Sequence, residues 1–117
     1  MASLSYRQGD ILIEAIPELP EGCTELPACE RHGAVVHVLA EGEVSGHAHC
    51  VAAGPGIQAL RRADGPDLLT VGYLKLKALA RLVHDEHAPI ALPPGNYRLI
   101  QQRRYEAGTG TWRRVVD

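Results

Sequence analysis

The sequence predicts an all-β protein, a small β-barrel or β-sandwich in which residues 1–117 form a single domain. Short apolar runs recur along the chain and are separated by glycine, proline and aspartate, as in small antiparallel β folds. Between residues 73 and 78, polar and apolar residues alternate with the period of a half-buried strand. The chain is long enough to bury one core, and it lacks phenylalanine, so aliphatic side chains must build that core.

The strands follow one another at hairpin distances. Pro17, Pro20 and Pro27 predict a long irregular connection after the first strand. Later breaks are predicted at 54–56 and 93–95, where proline and glycine occur together. The predicted strands comprise residues 11–16, 34–40, 45–52, 57–62, 68–77, 97–105 and 111–116.

One stretch, residues 76–86, fits two structures. Leu76, Leu79, Leu82 and Val83 recur at helical spacing, among residues that favour helix. The preceding strand pattern can equally continue through this stretch. The sequence therefore leaves open one short helix near 76–86 in an otherwise all-β chain.

Composition excludes several functional classes. The net charge of −2 argues against nucleic acid as a partner. No apolar stretch reaches the roughly 20 residues of a membrane span, and no signal peptide precedes the first strand, so we expect a cytoplasmic protein. Acidic residues concentrate between 14 and 30 and arginines from 98 onwards, which are either two solvated faces or the basis for a homo-oligomer or a protein partner.

Two short histidine pairs predict a metal site. His47 and His49 lie two residues apart, and on a strand they would share one face about 6.6 Å apart along the chain. His84 and His87 lie close together on either a helix or a strand that ends in a turn. Neutral imidazole is the commonest metal-binding side chain, so we expect these four histidines to bind one divalent ion.

Three carboxylates accompany the histidines. Glu43, Asp85 and Glu86 are candidates for an oxygen ligand or for accepting an imidazole N–H. The residue types suit zinc, iron or nickel, and such an ion would allow metal-dependent catalysis on a small molecule. The alternative is a non-catalytic interaction or self-assembly module whose histidines are structural. The three cysteines are interpreted as structural or incidental, because a cytoplasmic chain is not expected to form disulfides.

Several segments resemble an uncharacterised family of small bacterial and phage proteins. The resemblance implies that the histidine segments belong together, and it implies no activity. His47 and His49 are also similar to the metal-binding strand of the cupins, which are metal-binding β-barrels. The glutamate and the later histidine of the cupin pattern are missing, and His84 and His87 would take their place. The family resemblance rests on Arg7-Gln8-Gly9-Asp10, Gly42-Glu43-Val44-Ser45-Gly46-His47-Ala48-His49 and His84-Asp85-Glu86-His87.

Overall fold

The computed structural model describes residues 4–41, 47–62, 70–101, 103–106 and 111–114. The described residues form β-strands and no helix, so the all-β prediction is confirmed. The strands, in chain order, are β1 (Ser5–Gln8), β2 (Ile11–Ile16), β3 (Cys23–Glu25), β4 (Cys29–Arg31), β5 (Ala34–Glu41), β6 (Ala48–Ala52), β7 (Ile57–Arg62), β8 (Thr70–Leu76), β9 (Ala80–His84), β10 (Ile90–Leu92), β11 (Gly95–Gln101), β12 (Arg103–Glu106) and β13 (Thr111–Arg114).

Two antiparallel sheets carry most of these strands. The first sheet has the order β1-β2-β11-β8-β7-β3, and the second has the order β10-β9-β6-β5-β4. Strands β12 and β13 pair only with each other in the described residues. The sheets do not close on each other, so the barrel alternative is wrong. Closure needs a consistent stagger around every strand, which no local pattern encodes.

The core lies where the two sheets meet. Side chains of both sheets contribute to one cluster. The fully buried members of the cluster are Ile11, Ile13, Ala59, Leu74 and Leu99 from the first sheet and Val51, Leu82 and Leu92 from the second.

The short helix near 76–86 is also wrong. Strand β9 occupies this stretch and pairs with β10 on one side and with β6 on the other. Ala80 and Leu82 are buried, whereas Arg81 between them is exposed, which is the alternation of a strand. Leu79, which helical spacing would bury, is 65% exposed. Pairing on both sides outweighs the weak helix propensity of the segment.

A tight turn places two polar residues at the edge of the core. Gln8 and Ile11 are paired across the β1–β2 hairpin, so the turn consists of Gly9 and Asp10. Gly9 has a φ of 58°, the conformation that the first position of a type II′ turn requires. Gln8 and Asp10 are nevertheless only 2% and 3% exposed, because the second sheet covers this turn.

No helix of the described residues has the length and hydropathy that crossing a membrane requires.

Candidate histidine site

The four histidines of the predicted site lie together. His49 on β6 is directly opposite His84 on β9, and their ring centroids are 4.4 Å apart. The His84 ring also lies 4.6 Å from the His87 ring and 5.7 Å from the His47 ring. Strand pairing therefore brings two segments that are distant in sequence into one cluster, with His84 at its centre.

His49 is fully buried and is hydrogen-bonded at both ring nitrogens. The Gln8 amide donates through Nε2 to the carbonyl oxygens of Leu82 and Ala88, so its Oε1 faces His49 and accepts from Nδ1–H at 2.9 Å. Asp10 Oδ1 lies 3.0 Å from Nε2. With a carboxylate at Asp10, both ring nitrogens are placed to donate.

A buried polar network extends from His49 across both sheets. Gln101, at the end of β11, donates through Nε2 to Asp10 Oδ2 at 2.8 Å and to the carbonyl oxygen of Glu41 at 3.3 Å. Asp10, His49 and Gln101 are each at most 3% exposed. The network therefore joins the β1–β2 turn and β11 of the first sheet to β5 and β6 of the second.

Sequence reasoning assigned no role to Gln8, Asp10 or Gln101. Gly9-Asp10 is a common turn pair, and a turn alone explains an aspartate at this place. Gln101 follows an apolar strand and lies where a polar residue normally reaches solvent. No signal in the sequence separates these residues from ordinary strand ends, because the opposite sheet is what buries them.

His84 also organises the turn that follows it. Its Nδ1 accepts from the backbone N–H groups of Glu86 at 3.0 Å and His87 at 3.3 Å. A neutral imidazole that accepts at Nδ1 carries its proton on Nε2. The ring therefore stabilises the turn that presents the His87 side chain.

Asp85 connects this turn to the neighbouring strands. Its Oδ2 accepts from the Ala48 backbone N–H and from Arg31 Nη2, both at 2.8 Å, and its Oδ1 lies 3.5 Å from His32 Nε2. Burial by itself raises the pKa of Asp85, but the Ala48 N–H and the Arg31 guanidinium outweigh it and hold the pKa below its ordinary value. Asp85 thus contacts the β4–β5 hairpin and the start of β6.

The other two carboxylates have different positions. Glu86 Oε1 lies 3.4 Å from His47 Nε2, with the two side chains 59% and 22% exposed. Glu86 is thus the carboxylate that accompanies the histidine rings on their solvent side. Glu43 lies outside the described residues.

Cys50 lies on the opposite face of β6 from His49. It packs with Val36 and Ala48 in a second apolar cluster. Burial raises the pKa of its thiol, and a protonated thiol is a poor metal ligand and nucleophile. The three cysteines are free thiols.

Metal-ligand geometry is a stricter condition than proximity. Within residues 4–41, 47–62 and 70–101, no group of three or more histidine, cysteine, aspartate or glutamate side chains is already arranged to hold a metal ion. The hydrogen bonds at His49 and His84 direct lone pairs and protons towards protein partners instead.

Residues 7–102 match a family model described as a domain of unknown function (DUF8820). Curated proteins and solved structures contain no match to the chain.

Proposed function

The chain belongs to the DUF8820 family of unknown function, and we propose that it is a cytoplasmic β protein that binds a divalent metal ion through His47, His84 and His87. The observation that carries the proposal is the convergence of these three rings, which come from two segments, beside the Glu86 carboxylate. Glu86 supplies an oxygen ligand or accepts an imidazole N–H at the same site.

The spacing of the rings supports a shared ion. Two imidazoles that bind one ion through nitrogens at about 2.0–2.1 Å hold their ring centroids about 4.5–5.3 Å apart. The His84–His87 distance of 4.6 Å falls inside this interval, and the His47–His84 distance of 5.7 Å is slightly longer. The ring spacing thus supports a shared ion without a change of strand pairing.

His49, the fourth predicted ligand, has a different role in this proposal. Its two nitrogens already donate to Gln8 and Asp10 in a buried position. A ligand needs a lone pair, so coordination by His49 would require both the loss of a proton and the loss of a buried hydrogen bond. Of His47 and His49, the two histidines that are similar to the cupin strand, only His47 is a metal ligand in this proposal.

Ion binding at His84 has a structural consequence. Because Nδ1 accepts two backbone N–H groups, His84 becomes a ligand only when these turn bonds are exchanged for a metal–nitrogen bond. Imidazole and carboxylate ligands suit zinc, iron or nickel. Three protein ligands would leave an open position at which a small molecule or water can bind, which is the basis for metal-dependent catalysis.

Zinc titration by calorimetry of the untagged, metal-stripped protein tests the proposal, with iron(II) and nickel titrated in parallel. We expect about one equivalent in the parent and a loss of more than about 100-fold in affinity for the His47→Asn/His87→Asn double variant. His32→Asn is the matched control: His32 is 73% exposed and has a φ of 52°, which asparagine tolerates. A parent that binds none of the three ions, or a control that loses affinity equally, would overturn the proposal.

A second candidate is a non-catalytic interaction or self-assembly module with structural histidines. The hydrogen bonds of His49 and the position of Asp85 between three segments favour it. A parent that binds no metal but forms a stable oligomer or a complex with a protein partner, measured by light scattering, would support this candidate over the first.

A further inference from the structure

Gln8 connects the two ends of the segment that carries His84 and His87. It is the last residue of β1, in the first sheet, and it is 2% exposed. Its Nε2 donates to the carbonyl oxygens of Leu82 and Ala88, each at 3.0 Å. These carbonyls lie immediately before and after residues 83–87. One side chain from the opposite sheet therefore spans the base of the histidine loop.

The ladder between β9 and β10 does not extend past this base, although β6 pairs with β9 as far as His84. The pairing of β9 with β10 ends at Leu82 and Ile90, and the next residue towards the loop is Pro89. Proline has no N–H to donate, so the ladder cannot continue through that residue. The Gln8 amide supplies the bonds where the ladder stops.

The orientation of the Gln8 amide is itself determined. An amide can present either its nitrogen or its oxygen to a neighbour. Here the two loop carbonyls can only accept, so Nε2 faces them and Oε1 accepts from His49 Nδ1–H, while Asp10 holds the other side of the His49 ring. Asp10 is thus hydrogen-bonded to His49, His49 to Gln8, and Gln8 to the two ends of the loop.

We propose that Gln8 is a positioning residue of the histidine site, and that it holds the turn after β9, residues 85–88, in the form that brings His87 beside His84 and His47. The part of this proposal that concerns metal affinity rests on the proposed function. The part that concerns the order of the loop does not, because the hydrogen bonds of Gln8 join protein groups only. Gln8 is not among the proposed ligands and acts through the loop.

The test compares Gln8→Met with Gln101→Met. Both glutamines are buried and both donate to two oxygens, but Gln101 has no hydrogen bond to residues 82–88. Hydrogen exchange at the Glu86 and His87 amides of the metal-free protein reports loop order. Zinc titration reports affinity, and the visible spectrum of the cobalt(II) form reports ligand geometry.

For Gln8→Met we expect protection of the two loop amides and zinc affinity each to fall by about tenfold or more, with an altered cobalt spectrum. Gln101→Met should lower global stability but change all three readouts less than Gln8→Met, because Gln101 reaches the loop only through Asp10, His49 and Gln8. If Gln8→Met does not fold, Gln8→Asn replaces it, because a shorter amide cannot reach both carbonyls.

The outcomes separate the two proposals. Unchanged protection in the Gln8 variant, or equal loss in the Gln101 variant, overturns the positioning role. A parent that binds no zinc, iron(II) or nickel overturns the metal proposal, and loop protection then decides the role of Gln8 alone. If the Gln8 variant loses amide protection while its zinc affinity and cobalt spectrum stay unchanged, the proposed effect of the loop on metal binding is overturned.

Discussion

The buried contact between Asp10 and His49 provides a sharp test of what holds the two sheets together. Both side chains are 1% exposed, and Asp10 accepts one hydrogen bond from His49 and one from Gln101. Asp10→Leu removes both acceptors and leaves two buried donors unpaired. Each unpaired donor costs about 1–3 kcal/mol, and breaking a buried ion pair costs about 3–5 kcal/mol, so we expect a loss of about 3–5 kcal/mol.

Asp10→Asn should behave quite differently. The amide nitrogen of asparagine can donate to Nε2 of a neutral His49, while the amide oxygen accepts from Gln101. Every hydrogen bond in the network is then kept, and no buried charge remains. We expect Asp10→Asn to cost less than about 1 kcal/mol, because replacing a satisfied buried ion pair by satisfied neutral groups is nearly neutral.

Urea unfolding at constant pH measures both variants, and an unchanged slope confirms that the same surface is exposed on unfolding. Glu14→Leu is the control, because Glu14 pairs with Arg98 between β2 and β11 of the same sheet, with side chains 33% and 40% exposed. An exposed pair of this kind contributes about 0–1 kcal/mol. Equal losses for Asp10→Leu and Asp10→Asn would refute the reasoning, as would an Asp10→Leu loss no larger than that of the control.

Two further predictions concern Asp85, in the turn after β9, and Gly72, on β8 of the first sheet. The lowered pKa of Asp85 means that its contribution is present at neutral pH and is lost as pH falls below the ordinary aspartate value of 3.8. Asp85→Asn should therefore lose about 1–2 kcal/mol at neutral pH, with parent and variant converging in acid unfolding titrations. Gly72→Ala should destabilise the protein by about 1 kcal/mol, since the added Cβ would lie 3.1 Å from a backbone oxygen of β7. Gly54→Ala is the control: its Cβ would meet no atom within 4 Å, so this variant should be neutral or stabilising. Urea unfolding measures both variants.

Local patterns predicted many of the strands. Strands β2 and β7 coincide with the predicted 11–16 and 57–62, and β5 extends the predicted 34–40 by one residue. Short strands such as β3, β4 and β10 were not predicted. They have three residues each, too few for a period to be visible, and they form because a neighbouring strand offers its free edge.

The histidine site was predicted in part. The sequence selected His47, His49, His84 and His87, and the rings lie together. It could not separate His49 from the others, because the difference comes from burial against the first sheet.

The sequence by itself determined an all-β chain and the two histidine segments, because alternation, turn residues and residue types are local properties. Only the tertiary structure decided that the sheets stay open and that His49 is enclosed by Gln8 and Asp10. It also decided that Asp85 joins Arg31 and the start of β6. These contacts link residues 37 to 54 positions apart, and their formation depends on how whole strands pair and pack rather than on any short stretch of sequence.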